Sequence, residues 1–181
     1  MIYLGLLIAP VLFAGLAFIL VLHFRIGSGL EKPLDQEKKF LGKRIFGENK
    51  TYLGFIVMPF FTLAAGFLLK RPFAAFVTPV IDESPEDVLK FGLLGFAFAL
   101  GELPNSFIKR QLDIPPGARG QTRYLRMIFD VFDAIDSLLA VGLVYIFIFG
   151  VPFYPLIFLL PIGGAIHLGT DLWMRRLRLK T

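Results

Sequence analysis

The sequence predicts an all-α integral membrane protein: one domain over residues 1–181, a bundle of about five transmembrane helices. Three observations carry this. Of the 181 residues, 56% are hydrophobic and 18% charged, against roughly 45–50% and roughly 25% in soluble domains. Mean hydropathy is +0.70. Several apolar runs are long enough to cross a hydrocarbon core of about 30 Å. With no cysteine and only two histidines, His23 and His167, the chain excludes a disulfide scaffold, a thiolate metal site and His-rich metal catalysis.

The first span reads Ile2 to Phe24 without a charge and would extend about 34 Å as a helix. It lacks a basic n-region and a small-residue cleavage site, so it reads as a retained helix and not a signal peptide. The second span is Thr51 to Leu69, closed by Lys70-Arg71-Pro72. Phe73 to Ile81 is too short to span and reads as an interfacial loop. The third span runs from about Leu89 to Ile108, the fourth from Met127 to Phe149 and the fifth from about Pro152 to Trp173.

The charges orient these spans. Residues 25–50 carry seven Lys/Arg and residues 109–126 carry five, and Arg175, Arg176, Arg178 and Lys180 crowd the tail. The loop 70–87 has only Lys70 and Arg71 beside four acids. The positive-inside rule therefore puts the N-terminus outside and the C-terminus in the cytoplasm of a multi-pass cell-membrane protein. The net charge of +5 also suits anionic membrane lipids, and Phe40, Leu41 and Ile45 among lysines suit a segment lying on the leaflet. No nucleic-acid partner is expected.

In that orientation the polar residues of four helices meet at one level, near the cytoplasmic face. Ionisable groups inside spans are costly and mark function by default. Asp130, Asp133 and Asp136 recur every three residues, which puts them on one helix face about 120° wide. Three close carboxylates repel unless a cation neutralises them. Mg²⁺ suits oxygen ligands and binds through one or two carboxylates plus substrate phosphates. A capping or ion-pairing role beside Arg123 or Arg126 is the competing reading, strongest for Asp130. Glu102, Asn105 and Ser106 precede Lys109-Arg110, a point charge and a planar fork that suit a polyphosphate. Glu102 is either a ligand or the partner of Lys109 or Arg110. Phe46-Gly47-Glu48-Asn49-Lys50-Thr51 enters the second span, where free helix amides favour anions. Gly47 loosens the turn, and Lys50 and Thr51 offer phosphate contacts. It is not a Walker A motif, since two residues separate Gly47 from Lys50. His167 and Asp171 form an i, i+4 pair in the fifth span that is structural or touches a nucleotide.

Phe46-Gly-Glu-Asn-Lys50-Thr51-x-x-Gly54, then Glu102 with Ser106-Phe-Ile-Lys109-Arg110 and Pro116-Gly117, then Asp133-x-x-Asp136 together resemble the CDP-archaeol synthase family. These membrane cytidylyltransferases are distantly similar to bacterial phosphatidate cytidylyltransferases. The chain departs from the family pattern at Ala134, Ile135, Ala140 and Asp171. The resemblance implies that CTP and a lipid phosphate, an isoprenoid glycerol phosphate or phosphatidate, react to give a CDP-lipid and pyrophosphate. It implies that Asp133 and Asp136 hold Mg²⁺, with Asp130 and Glu102 as further candidates, and that Lys109 and Arg110 neutralise phosphates. Gly47, Asn49, Lys50, Thr51 and Ser106 would line the substrate. A CDP-alcohol phosphotransferase is a competing enzyme reading, but Ser137-Leu-Leu-Ala140-Val stands where that family needs Gly-x-x-Ala-Arg. An ion or proton transporter built on the same acids, and a scaffold subunit without turnover, are the non-enzymatic alternatives.

Overall fold

The computed structural model describes residues 2–77, 85–118 and 122–176. Five long helices follow one another: α1 (Ile2–His23), α2 (Tyr52–Val77), α3 (Pro85–Gln111), α4 (Arg123–Phe147) and α5 (Leu156–Arg176). Between α1 and α2 lie a single 3₁₀ turn (Ser28–Leu30) and a small hairpin, β1 (Lys39–Phe40) and β2 (Lys43–Arg44). Helix α3 is central. It packs along α2 on one side and α4 on the other, while α1 closes on α2 and α5 on α4.

Several boundaries differ from those the sequence suggests: α3 begins at Pro85 and not about Leu89, α5 at Leu156 and not about Pro152, and two further differences have a local cause. Helix α2 runs through Lys70-Arg71-Pro72 to Val77, so most of the segment expected to be an interfacial loop is helical. A proline lacks one N–H but keeps helical φ, and the Phe-Ala-Ala-Phe-Val run beyond it continues the helix. Its end, with Asp82 and Glu83, lies outside the described residues. Helix α4 starts four residues before Met127, because Thr122 caps it: its hydroxyl oxygen accepts from the Leu125 amide at 3.2 Å.

Among the described residues, two helices, over Tyr52–Leu69 and Pro85–Gln111, are long and apolar enough to cross a membrane, and Leu7–His23 and Ile157–Thr170 are shorter apolar stretches. The surface agrees. Phe60, Phe67, Phe96, Leu143 and Phe158 all face outward, and a soluble monomer does not leave so many large apolar groups uncovered. The architecture is that of an all-α membrane protein.

A smaller apolar core, Val21, Leu53 and Val57, lies between α1 and α2, and the larger one sits at the bundle end away from the α4 aspartates. Phe91 and Leu94 of α3, Val141 and Tyr145 of α4, Leu159 of α5 and Leu7 of α1 meet there with Phe149. The Tyr145 hydroxyl, fully buried, donates to the Leu7 carbonyl at 2.6 Å, which satisfies a group that would otherwise be costly. The helices can approach closely where a side chain is missing. A Cβ on Gly101 of α3 would lie 2.8 Å from both the Asp136 carbonyl oxygen and the Ser137 Cα of α4. That contact sets the spacing at which the α3 and α4 polar residues face each other.

The hairpin pairs Lys39 with Arg44 and Phe40 with Lys43. Its turn residues Leu41 and Gly42 have φ of 49° and 82°, the sign that matches strand twist in two-residue hairpins. Lys43 pins it to the end of α3, donating to the Gln111 carbonyl at 2.7 Å and to Asp113 Oδ2 at 2.6 Å.

Candidate active site

Glu102, Asn105, Ser106 and Lys109 are spaced at i, i+3, i+4 and i+7, so one face of α3 presents all four. That face meets the Asp130, Asp133 and Asp136 face of α4. At the centre lies Asn105, a buried residue. Its amide donates to Asp133 Oδ1 at 2.6 Å and to Asp136 Oδ2 at 3.0 Å. Two carboxylates from successive turns thus converge on one nitrogen. Lys109 Nζ donates to both oxygens of Asp133 at 2.5 Å and sits 5.4 Å from the centroid of the Phe129 ring. The other Asp136 oxygen accepts from the Ser137 amide at 2.6 Å and its hydroxyl at 3.1 Å.

Glu102 pairs with Lys50 of the loop before α2, a partner the sequence did not suggest. This pair joins two cavities. One, of about 980 Å³, gathers most of the charged groups; its wall includes Ser106, Lys109, Asp130, Asp133 and Asp136, with Arg123 and Arg126 at the start of α4. The other, of about 600 Å³, is mostly apolar and runs between helices along Leu7, Val11, Phe18, Phe55 and Val141, with Thr51 near its polar end. Asn49, Lys50 and Glu102 line both.

Arg110 lines the polar cleft but is braced by backbone. Its Nε donates to the Phe46 carbonyl at 3.2 Å and its Nη1 to the Ile114 carbonyl. Gly47, with φ of 93°, lies against it. The amides at the start of α2 are not all open to an anion: Tyr52 N donates to the Lys32 carbonyl at 3.1 Å. The side chains of His167 and Asp171 lie outside the described residues.

Asp35 had no motif to announce it. It is buried in the loop between α1 and α2, with Arg44 Nη2 at 2.7 Å. Burial pushes its carboxyl up, but Arg44 and the amides of Gly47, Phe46 and Glu37 outweigh this and hold the pKa at about 2, below the ordinary 3.8. Folding therefore favours the ionised form. The contribution, about 2 kcal/mol, is fully present above about pH 4 and is lost as pH falls toward 2. The melting temperatures of wild type and Asp35→Asn should accordingly differ at pH 6, and the gap should shrink below about pH 4 as pH falls toward 2; a gap independent of pH would refute this.

Among the described residues, no group of three or more carboxylate or imidazole side chains forms a metal-ligand cluster. The Asp133 and Asp136 oxygens that share Asn105 are hard donors. They fit Mg²⁺, which takes one or two carboxylates and completes its shell with waters and phosphates. Asp130 lies one turn nearer the start of α4, half-buried on the same cleft wall.

A family described as CarS-like CDP-archaeol synthase matches residues 4–181. The chain belongs to the CDP-archaeol synthase family. A CDP-archaeol synthase from Saccharolobus solfataricus is 28% identical over 151 residues, 82% of this chain and 79% of that one. One from Pyrobaculum islandicum is 32% identical over 146 residues, 80% of this chain and 77% of the relative. One from Thermococcus kodakarensis is 33% identical over 112 residues, 61% of this chain and 58% of the relative. No solved structure matches. Membership makes the chain a nucleotidyltransferase, a CTP-dependent cytidylyltransferase acting on a lipid phosphate.

Proposed function

We propose that the protein transfers the cytidylyl group of CTP to an isoprenoid glycerol phosphate in the membrane, releasing pyrophosphate and supplying a CDP-lipid for phospholipid synthesis. The lipid class follows the names of its relatives. The observation that carries the reading is the meeting, at Lys50 and Glu102, of a cleft rich in charged side chains and a cavity lined mainly by apolar ones. A reaction between a triphosphate and a lipid headgroup needs such a junction. The triphosphate seats in the cleft among Lys109, Arg123 and Arg126. The lipid chains lie in the apolar cavity, so the headgroup phosphate reaches the junction, where Asn49 and Lys50 meet both it and the triphosphate.

A phosphate oxygen of the lipid attacks the α-phosphorus of CTP, the bond from that phosphorus to the bridging oxygen breaks, and pyrophosphate leaves with the electron pair. The nucleophile is already an anion, so no strong base is required. Catalysis is positioning and charge neutralisation. Asp133 and Asp136 would hold Mg²⁺, which supplies charge neutralisation at the reacting phosphates when bound. Lys109 balances Asp133, and with that carboxylate holding a cation it would be available to the phosphates. Asn105 keeps both carboxylates aimed at one point throughout.

We place the N-terminus outside, with five spans and the cleft on the cytoplasmic side. Because the chain has no cysteine, single substitutions test this cleanly. An impermeant maleimide should label Glu86→Cys in intact cells and Leu41→Cys only after permeabilisation; the reverse pattern would invert the topology. The lipid assignment is tested with purified protein, CTP and Mg²⁺. The isoprenoid glycerol phosphate should be converted at least tenfold more efficiently than phosphatidate. Equal or reversed preference would remove the archaeal lipid as substrate, and no CDP-lipid from either would remove the reaction.

A further inference from the structure

We propose that Asp35 is a positioning residue for nucleotide binding, acting through the segment 46–52; this rests on the cytidylyltransferase reading. Its side chain is 0% exposed, although it stands in a stretch of lysines that reads as solvated. Oδ2 accepts from two successive amides, Phe46 at 3.0 Å and Gly47 at 2.9 Å. Oδ1 accepts from Arg44 Nη2 at 2.7 Å and the Glu37 amide at 3.1 Å. Consecutive amides closing on one anion form a rigid nest, and here the anion belongs to the chain itself.

The same short segment grips the loop at two further points. Leu34 N donates to the Lys50 carbonyl at 2.7 Å, and Tyr52 N donates to the Lys32 carbonyl at 3.1 Å. Residues 32–35 therefore hold 46–47, 50 and 52 in fixed register, leaving Asn49 and Lys50 aimed into the cleft junction. On the far side the Phe46 carbonyl accepts from Arg110 Nε at 3.2 Å. A Cβ on Gly47 would lie 2.9 Å from Pro116 Cγ and 3.2 Å from Arg110 Nε. The 46–47 peptide is thus seated between Asp35 and Arg110. Removing the Asp35 charge frees both amides and the Arg110 brace together, so the loop and a cleft-wall guanidinium lose their positions at once.

Calorimetric CTP binding to the full chain in detergent with Mg²⁺, alongside steady-state turnover, tests this. Asp35→Asn should raise the CTP Kd and KM at least tenfold, with kcat reduced less than KM is raised. Gly47→Ala, which disturbs the same seat from the opposite side, should do likewise, and it decides the matter if Asp35→Asn does not fold. A merely structural role would lower the active fraction and leave Kd and KM unmoved. CTP Kd within twofold of wild type in the folded variants would overturn the proposal while wild-type turnover stands. A wild-type chain making no CDP-lipid would overturn the enzyme reading and, with it, this role.

Discussion

Replacing Asp136 by Asn should lower cytidylyl transfer by two to three orders of magnitude, about the effect of removing one preorganised electrostatic group from an active site, while the protein stays folded. The substitution keeps an oxygen to accept from Asn105, now at 3.0 Å from the carboxylate, so the α3–α4 seam survives. What goes is the negative charge beside Asp133, and with it half of the convergent donor pair. Asp133→Asn should act similarly and should also release Lys109, which is held at 2.5 Å by both Asp133 oxygens. Asp130→Asn is the informative contrast. Asp130 is on the same helix face but outside the pair that Asn105 joins, and its loss should cost less than tenfold. Turnover with purified variants, beside their melting temperatures, checks all three; Asp136→Asn retaining more than a tenth of wild-type activity would take Asp136 out of the site.

The second large effect is on the scaffold. Gly101→Ala should destabilise the protein by about 1–3 kcal/mol, the usual cost of forcing a group into a packed interface, and should depress activity well beyond that loss of folded material. The added Cβ would meet backbone at 2.8 Å, the Asp136 carbonyl oxygen and the Ser137 Cα, which cannot swing away as a side-chain tip could. The helices must part at the residue that carries the key carboxylate. A displacement of about 1 Å in a positioning site can cost about a hundredfold in rate. Activity per folded molecule, with the folded fraction from denaturant titration, separates the two effects; a variant with wild-type melting and turnover would show that the crossing has slack.

Much of this was legible from residue order. Long apolar runs located the five long helices, although only the first two, Ile2–Phe24 and Thr51–Leu69, are free of charge. The Asp133–Asp136 repeat and the Glu102–Lys109 stretch announced themselves because helix periodicity puts each set on one face. What stayed hidden depends on contacts between segments. Pro72 looks like a stop, yet α2 continues to Val77, since one missing N–H does not end a helix whose following residues are apolar. The pairing of Glu102 with Lys50 arises from how α3 meets the loop before α2, over a separation of 52 residues. Asp35 gave no local sign: one of three acids, with Glu31 and Glu37, in a stretch rich in lysine, it reads as surface, and only the nest formed with Phe46 and Gly47 gives it a role. The hairpin was equally silent, because two-residue strands carry no periodicity.

In the proposed reaction a lipid phosphate attacks the α-phosphorus of CTP in the cleft between α3 and α4. Parallel reactions with CTP labelled in the α- or the γ-phosphate, in the presence of isoprenoid glycerol phosphate and Mg²⁺, test it most directly. The α-label should enter the lipid product and the γ-label should leave as pyrophosphate. Lipid carrying the γ-label, or γ-label released as orthophosphate with no labelled lipid, would contradict it.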